Sequence, residues 1–114
     1  MKDDRIYLHH IAEAIEDIEH YTATGRGAFL ADRMQQDAVI RKLEVIGEAV
    51  KQLSAHAKST RTEIQWREIA GMRDKMIHEY FGVNLQLVWE VVEREMQELG
   101  SAVDSILQDM RSGD

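Results

Sequence analysis

The sequence contains neither cysteine nor proline among its 114 residues. Without cysteine, disulfides and thiolate metal sites are excluded. Without proline, nothing removes a backbone donor from a helix interior or clashes with the preceding turn. Such a chain suits long uninterrupted helices. Its length suits one domain, comprising residues 1–114.

Long apolar runs are also missing. No segment approaches the roughly 18 consecutive apolar residues that a membrane helix requires. The first residues, Met1-Lys2-Asp3-Asp4-Arg5, lack the apolar stretch of a signal peptide. We therefore expect a soluble, cytoplasmic protein that does not bind a membrane. The hydrophobic fraction of 44% is enough to form one compact core.

The 21 acidic residues outnumber the 14 lysines and arginines, and the formal net charge is −7. Because nucleic-acid binding is driven by cationic side chains, this balance argues against such a partner. The charge is uneven, however: residues 25–61 sum to +3, whereas residues 1–24 sum to −4 and residues 84–114 to −5. A basic middle leaves two interpretations open, a nucleic-acid surface or ordinary scatter of surface charge.

Apolar residues recur with helical periodicity along most of the chain. The spacing predicts helices at about Asp4 to Tyr21, Ala31 to His56 and Gln65 to Phe81, and from Asn84 to the end. In the first two helices the spacing alternates between three and four, which is typical of one buried stripe. The stripe residues are Leu8, Ile11, Ile15 and Ile18, then Val39, Leu43, Ile46, Val50 and Leu53.

Polar segments and capping residues separate these helices. Residues 22–27 contain two glycines and residues 57–63 are polar except for Ala57, so both segments are predicted to be loops. Thr62 and Gln65 have the spacing of a capping box, and Gly82 suits the end of the third helix. Asn84 is a good N-cap for the last helix.

The last helix carries a long heptad stripe. Its members are Leu85, Trp89, Val92, Met96, Leu99, Val103, Ile106 and Met110. This stripe is long for so small a bundle, so we expect it to cover the core at one end and a partner subunit along the rest. Short connections between long helices predict an all-α fold, an antiparallel up-and-down bundle of four main helices.

The segment from Arg73 to Tyr80 brings together residue types that suit phosphate chemistry. On an ideal helix, His78 lies about 140° around the axis from Arg73, whereas Tyr80 lies within about 20° of it. Asp74 and His78 are four residues apart and share a face. Asp74 can therefore hydrogen-bond to His78 and fix its tautomer, which leaves the other ring nitrogen for proton transfer.

Arg73 and His78 diverge too far to share one site easily within a single helix. A symmetric homodimer would bring paired arginines and histidines around one cleft. One histidine could then take the proton of a ribose 2′-hydroxyl and a second could protonate the leaving oxygen. Arginine would stabilise the phosphate charge. The alternative is structural: an Arg73–Asp74 surface pair, with His78 and Tyr80 half-buried at a helix end.

Other candidate sites are weaker. A di-iron bundle needs two Glu-x-x-His pairs, and this chain offers only Asp17-x-x-His20, so we expect neither a metal nor another cofactor. Glu44 and Glu48 either support a site beside the third helix or form a solvated face. Trp66 and Trp89 are expected to anchor the core or a dimer.

The pattern Arg73-x-x-x-x-His78-x-Tyr80 resembles the R-x-x-x-x-H-x-Y signature of HepT-like toxins, which belong to the HEPN superfamily. The similarity extends over roughly residues 5–100. It continues in residues 36–41, 43–49 and 66–74, and in the run from Tyr80 through Asn84 to Val88-Trp89. One departure is Gln65, where the family commonly has proline, and it affects helix initiation only.

The resemblance implies an all-helical homodimer that is the ribonuclease toxin of a toxin–antitoxin pair. It implies an endoribonuclease that needs no metal and whose RNA substrate is tRNA or mRNA. Arg73 and His78 would be the catalytic residues, with Asp74 as the polar residue after the arginine. The antitoxin would be an MNT-type nucleotidyltransferase that silences the toxin by transferring AMP from ATP to Tyr80.

A second hypothesis needs no catalysis. The bundle could be a nucleotide- or substrate-binding subunit of a nucleotidyltransferase complex, with Tyr80 as a contact residue. The net acidity favours this alternative.

Overall fold

The computed structural model describes residues 3–72, 74 and 84–112, and these residues contain helices but no strand. The helices are α1 (Asp4–Tyr21), α2 (Arg26–Ala31), α3 (Arg33–Gln52), α4 (Ala55–Ser59), α5 (Trp66–Ala70), α6 (Leu85–Glu90) and α7 (Met96–Ser112). A π-helical turn, Val91–Glu95, joins α6 to α7. The predicted all-α fold is confirmed. Within the described ranges, no helix is long and apolar enough to cross a membrane.

Helices α1 and α3 run antiparallel and are tied together at both ends. The backbone N–H and hydroxyl of Ser54, just after α3, donate to the Asp4 carboxylate at the start of α1, at 2.9 and 2.6 Å. At the opposite end, the Gln35 side chain donates to the carbonyl of Tyr21. Each bond joins the beginning of one helix to the end of the other, which confirms the predicted antiparallel arrangement.

Helix α3 lies at the centre of the packing. Its stripe residues Val39, Leu43, Ile46 and Val50 are 0% exposed. Helices α1, α2 and α5 all pack against it, and α7 packs against α1. The stripe of α1, predicted from the same periodicity, is buried as well. Burying one such aliphatic side chain stabilises the fold by about 1.5–3 kcal/mol. These two stripes are therefore a large part of the core, which buried residues of α2, α5 and α7 complete.

The second predicted helix, about Ala31 to His56, was wrong at both ends, because the helix is interrupted at Asp32 and stops at Gln52. Residues before the break form the separate helix α2, which follows Gly25 in a left-handed conformation (φ 96°) that suits glycine. The Asp32 carboxylate accepts from the backbone N–H of Met34 and Gln35, at 3.0 and 3.3 Å. This N-cap satisfies the first donors of α3 and fixes its beginning at Arg33.

The predicted loop at residues 57–63 was also wrong in part. Helix α3 ends at Gln52, and Leu53 has extended backbone angles. Ser54 then starts the new helix α4, because its hydroxyl accepts from the backbone N–H of Ala57 at 3.1 Å. One serine thus caps α4 and binds the start of α1.

The third predicted helix, Gln65 to Phe81, is described only in part, and its prediction as one continuous helix was wrong, because α5 ends at Ala70 with Gly71 as its C-cap. It begins at Trp66, and its N-cap is Gln65 without a side-chain bond, so the predicted capping box at Thr62 was wrong. Tight turns delay the helix start, since the N–H of Ile64 donates to the carbonyl of Arg61 and that of Trp66 to Ile64, at 3.3 and 2.9 Å. The predicted stop at Gly82 lies outside the described residues.

The last helix begins as predicted, because the Asn84 side chain accepts from the backbone N–H of Leu87 at 3.2 Å. Its stripe, however, packs on the core of its own chain. Val92, Met96, Leu99, Val103 and Ile106 are all at most 7% exposed, and Leu85, Trp89 and Met110 pack against the same core. The expectation that much of the stripe faces a partner was therefore wrong.

Replacing Gly100 by alanine is expected to stabilise the protein. A Cβ atom there would lie 3.6 and 3.8 Å from the Ile15 side chain, which is ordinary contact across the α1–α7 interface. A glycine in a helix interior costs about 0.8–1 kcal/mol relative to alanine. Urea unfolding of Gly100→Ala should show a gain of about that size. A loss of stability would mean that α1 and α7 lie closer together than these distances indicate, so that the added Cβ atom clashes with Ile15.

Candidate functional site

The predicted site residues fall at the edge of what the structure describes. Arg73, His78 and Tyr80 lie outside the described residues. Asp74 is described, and its side chain is exposed at a helical position. What the structure supplies is the frame on both sides of this segment.

The upstream side of the frame is anchored in the core. Trp66, Ile69 and Met72 are 8%, 4% and 4% exposed. Helix α5 carries two of them and packs against α3. Because Met72 immediately precedes Arg73, the chain enters the candidate segment from a buried position.

The indole of Trp66 also holds the connection before α5. Its Nε1–H donates to the carbonyls of Lys58 and Arg61, at 3.1 and 3.0 Å. A buried indole N–H needs such a partner, because burial removes its hydrogen bond to water and an unpaired donor costs free energy. The prediction that Trp66 anchors the core is confirmed.

Arg61 links the same connection to α7. Its guanidinium donates to the hydroxyl of Ser105 and the carboxylate of Asp109, at 2.7 and 2.8 Å, and its side chain is only 19% exposed. The Asp109 carboxylate is 71% exposed, so water screens this ion pair, whereas the hydrogen bond to Ser105 is partly buried. The start of α5 is therefore held by α3 and by the connection fixed to α7.

The downstream side begins at Asn84, the N-cap of α6. Val88 is 2% exposed, and the Trp89 ring packs on Phe29 of α2 with a centroid distance of 5.5 Å. The Trp89 indole donates to the Glu93 carboxylate at 2.9 Å. The chain thus leaves the candidate segment into a capped helix whose first turns pack on α2 and the core.

The two α3 carboxylates that we expected near the site interact with cations of their own helix. Glu44 lies 3.5 Å from Arg41 and Glu48 lies 3.5 Å from Lys51. Both carboxyl side chains belong to the helix against which α5 packs. Their role beside the site stays a prediction.

Asp17, half of the weak metal motif, is paired with a cation instead. Its carboxylate lies 2.9 Å from the Lys42 ammonium, and this hydrogen bond raises the pKa of Lys42 above its usual value. The resulting stabilisation is present below the ordinary lysine pKa and is lost as the pH rises through the raised one. In the part of the chain that the structure describes, no three His, Asp or Glu side chains gather as a metal site.

Comparison with known sequences assigns the family. Residues 11–106 match the family described as ribonuclease HepT-like. The matched range includes the whole Arg73-to-Tyr80 segment. The chain belongs to the ribonuclease HepT-like family. This confirms the predicted resemblance and the predicted class of enzyme, a ribonuclease.

Individual relatives agree with this assignment. The chain is 49% identical over 94 residues to "Probable ribonuclease HepT" of Thermococcus cleftensis, covering 82% of this chain and 86% of that protein. It is 45% identical over 109 residues to "Putative RNase TTE0752" of Caldanaerobacter subterraneus subsp. tengcongensis, covering 95% and 97%. No solved structure matches the chain.

A third relative is longer. "Gamma-glutamylcyclotransferase and putative RNase MJ0434" of Methanocaldococcus jannaschii is 44% identical over 110 residues, which are 96% of this chain. The chain spans only 50% of the length of that relative.

Trp66→Phe is expected to destabilise the protein more than Trp89→Phe. Both changes remove an indole N–H, but Trp66 serves two backbone carbonyls at a buried position, whereas Trp89 serves the exposed carboxylate of Glu93. The two carbonyls keep the backbone N–H groups of Arg61 and Ile64 as donors, so the loss expected for Trp66→Phe is that of ordinary hydrogen bonds, about 0.5–1.5 kcal/mol each. Denaturant unfolding of both variants measures the difference. Equal losses would show that the Trp66 hydrogen bonds do not hold the entry to the candidate segment.

Proposed function

We propose that this protein is the toxin of a toxin–antitoxin pair, acting in the cytoplasm as a homodimeric, metal-independent endoribonuclease on tRNA or mRNA. Arg73 and His78 are its catalytic residues and Asp74 positions the histidine. An MNT-type nucleotidyltransferase antitoxin neutralises it by transferring AMP to Tyr80.

One observation carries this proposal. The R-x-x-x-x-H-x-Y pattern occurs once in the sequence, at Arg73, His78 and Tyr80. It lies within residues 11–106, the range that matches the ribonuclease HepT-like family. The buried anchor at Met72 and the capped start at Asn84 support it, because a catalytic segment needs fixed ends.

The chemistry needs only these side chains. A neutral His78 takes the proton of the ribose 2′-hydroxyl, and the 2′-oxygen attacks phosphorus. The bond from phosphorus to the 5′-oxygen breaks, and a protonated His78 of the second copy gives its proton to that oxygen. The products are a 2′,3′-cyclic phosphate and a 5′-hydroxyl. Arg73 pairs with the non-bridging oxygens as charge builds on them.

A homodimer satisfies the geometry of the motif. Five positions separate Arg73 from His78, and on an ideal helix they diverge by about 140°. Two copies around a symmetry axis supply both a histidine base and a histidine acid, together with two arginines. The exposed carboxylate of Asp74, four positions before His78, is available to hydrogen-bond to the imidazole.

Transfer of AMP to Tyr80 would silence such a site electrostatically. The phenolic oxygen attacks the α-phosphorus of ATP, pyrophosphate leaves, and the phenolic proton passes to a base of the antitoxin. The product places a negative phosphodiester and a nucleoside two residues from His78. The added charge repels the RNA phosphate and the added bulk blocks the cleft.

His78→Ala and Arg73→Ala are expected to abolish RNA cleavage in the presence of a metal chelator while the far-UV dichroism stays unchanged. His56→Ala and Arg111→Ala are matched controls, since both side chains are exposed outside the motif, and both should cleave at the wild-type rate. Loss of a catalytic base or of the phosphate contact lowers the rate by about 10²–10⁴-fold. Wild-type activity in the double variant Arg73→Ala/His78→Ala would refute the catalytic assignment.

Co-expression with the cognate nucleotidyltransferase is expected to add one AMP group to the wild type and none to Tyr80→Phe. Tyr21→Phe is the matched control, because Tyr21 is 38% exposed and lies outside the motif, and it should be modified like the wild type. Intact-mass analysis gives the readout. A stable complex with an unmodified, inactive protein would favour the alternative, a non-catalytic substrate-binding subunit.

A further inference from the structure

A small open cavity lies between the start of α5 and the π-helical turn. Its volume is about 280 Å³, and it is lined by Ile64, Gln65, Ile69, Arg94, Glu95 and Glu98. The two isoleucines are 7% and 4% exposed and form an apolar floor. The four polar side chains are exposed and form a hydrogen-bonding rim. The cavity therefore combines an apolar surface with donors and acceptors at its edge.

The π-helical turn positions two residues of the cavity rim, Arg94 and Glu95. Val91–Glu95 contains neither glycine nor proline, so no backbone-breaking residue accounts for the wider turn. Val91 and Val92 stay in the core at 6% and 7% exposure, while Arg94 and Glu95 reach the cavity. Isolated π-helical turns within α-helices are frequent at functional sites.

The cavity lies close to the candidate catalytic segment along the chain. Ile69 precedes Arg73 by four residues, and four residues reach at most about 14 Å even when fully extended. A group bound on Ile69 therefore stays near the segment that we assign to catalysis.

The lining chemistry fits a nucleobase. In single-stranded RNA, unstacked bases are recognised by packing on a flat surface and by hydrogen bonds along their edges. The floor can accept the face of a base. Carboxylates at the rim accept from base N–H groups, whereas the Arg94 guanidinium donates to base oxygens. Guanine matches this set, because it presents two adjacent donors, N1–H and N2–H₂, beside the acceptor O6.

We propose that this cavity binds one guanine of the RNA substrate next to the scissile phosphate, with Glu98 and Glu95 accepting from the base and Arg94 donating to it. The site sets sequence preference, whereas Arg73 and His78 break the bond. This inference rests on the proposed ribonuclease function.

A competing groove is less suited to RNA. The space between α1 and α7 is lined by Glu16, Glu19 and Asp104 around Gly100 and Ser101, and none of the described residues that line it is a cation. Three carboxylates without a cation repel a phosphate backbone. The rim of the guanine cavity differs, because Arg94 lies beside its two carboxylates.

The test compares cleavage of oligonucleotides that differ in one base. Each carries a single ribonucleotide in a DNA background, with G, A, C or U on either side of the cleavable bond. We expect the wild type to prefer guanine, and Glu98→Gln and Arg94→Ala to reduce that preference roughly ten-fold. Glu90→Gln and Arg111→Ala are matched controls with exposed charges outside the cavity, and they should keep it.

A second measurement does not depend on cleavage. Methyl NMR signals of Ile64 and Ile69 are expected to shift on titration with guanosine 5′-monophosphate, more than with adenosine 5′-monophosphate, and not in Glu98→Gln. Absence of any cleavage by the wild type would contradict the proposed function, whatever these methyl signals show. The guanine site would be refuted by an unchanged base preference in Glu98→Gln and Arg94→Ala. It would also be refuted if guanosine 5′-monophosphate did not shift the methyl signals of Ile64 and Ile69.

Discussion

Exclusion of water from the apolar stripe of α3 is the constraint on which the rest of the structure depends. Val39, Leu43, Ile46 and Val50 are fully buried because α1, α2 and α5 all pack against this one helix. Hydrogen bonds from Ser54 to Asp4 and from Gln35 to Tyr21 fix the register of α1 against it. A shift of either helix would expose side chains worth about 1.5–3 kcal/mol each.

The same constraint places the candidate catalytic segment. Because α5 packs against α3, Ile69 and Met72 are buried and the chain reaches Arg73 from a fixed position. The Trp66 indole and the Arg61 guanidinium hold the preceding connection to the core and to α7. Rigid ends around a short reactive segment are what precise proton transfer needs.

Periodicity predicted the parts of the fold that depend on burial. The stripes of α1 and α3 and the Asn84 cap could be read from spacing and residue type. The breaks at Asp32 and Ser54 depend on side-chain caps that compete with a continuing helix, and sequence alone does not decide that competition. The π-helical turn could not be predicted from the sequence, because the heptad spacing of apolar residues continues through it. The cavity rim of Arg94, Glu95 and Glu98 was missed for that reason.

The central claim is that two copies of the Arg73-to-Tyr80 segment form one shared site. A dimer with differently tagged subunits, one wild type and the other carrying His78→Ala, tests this claim most directly. If the site is shared and takes one histidine from each copy, this mixed dimer should cleave RNA as poorly as the His78→Ala homodimer. A mixed dimer that keeps about half of the wild-type rate would show that each subunit works with its own His78, and would contradict the shared site.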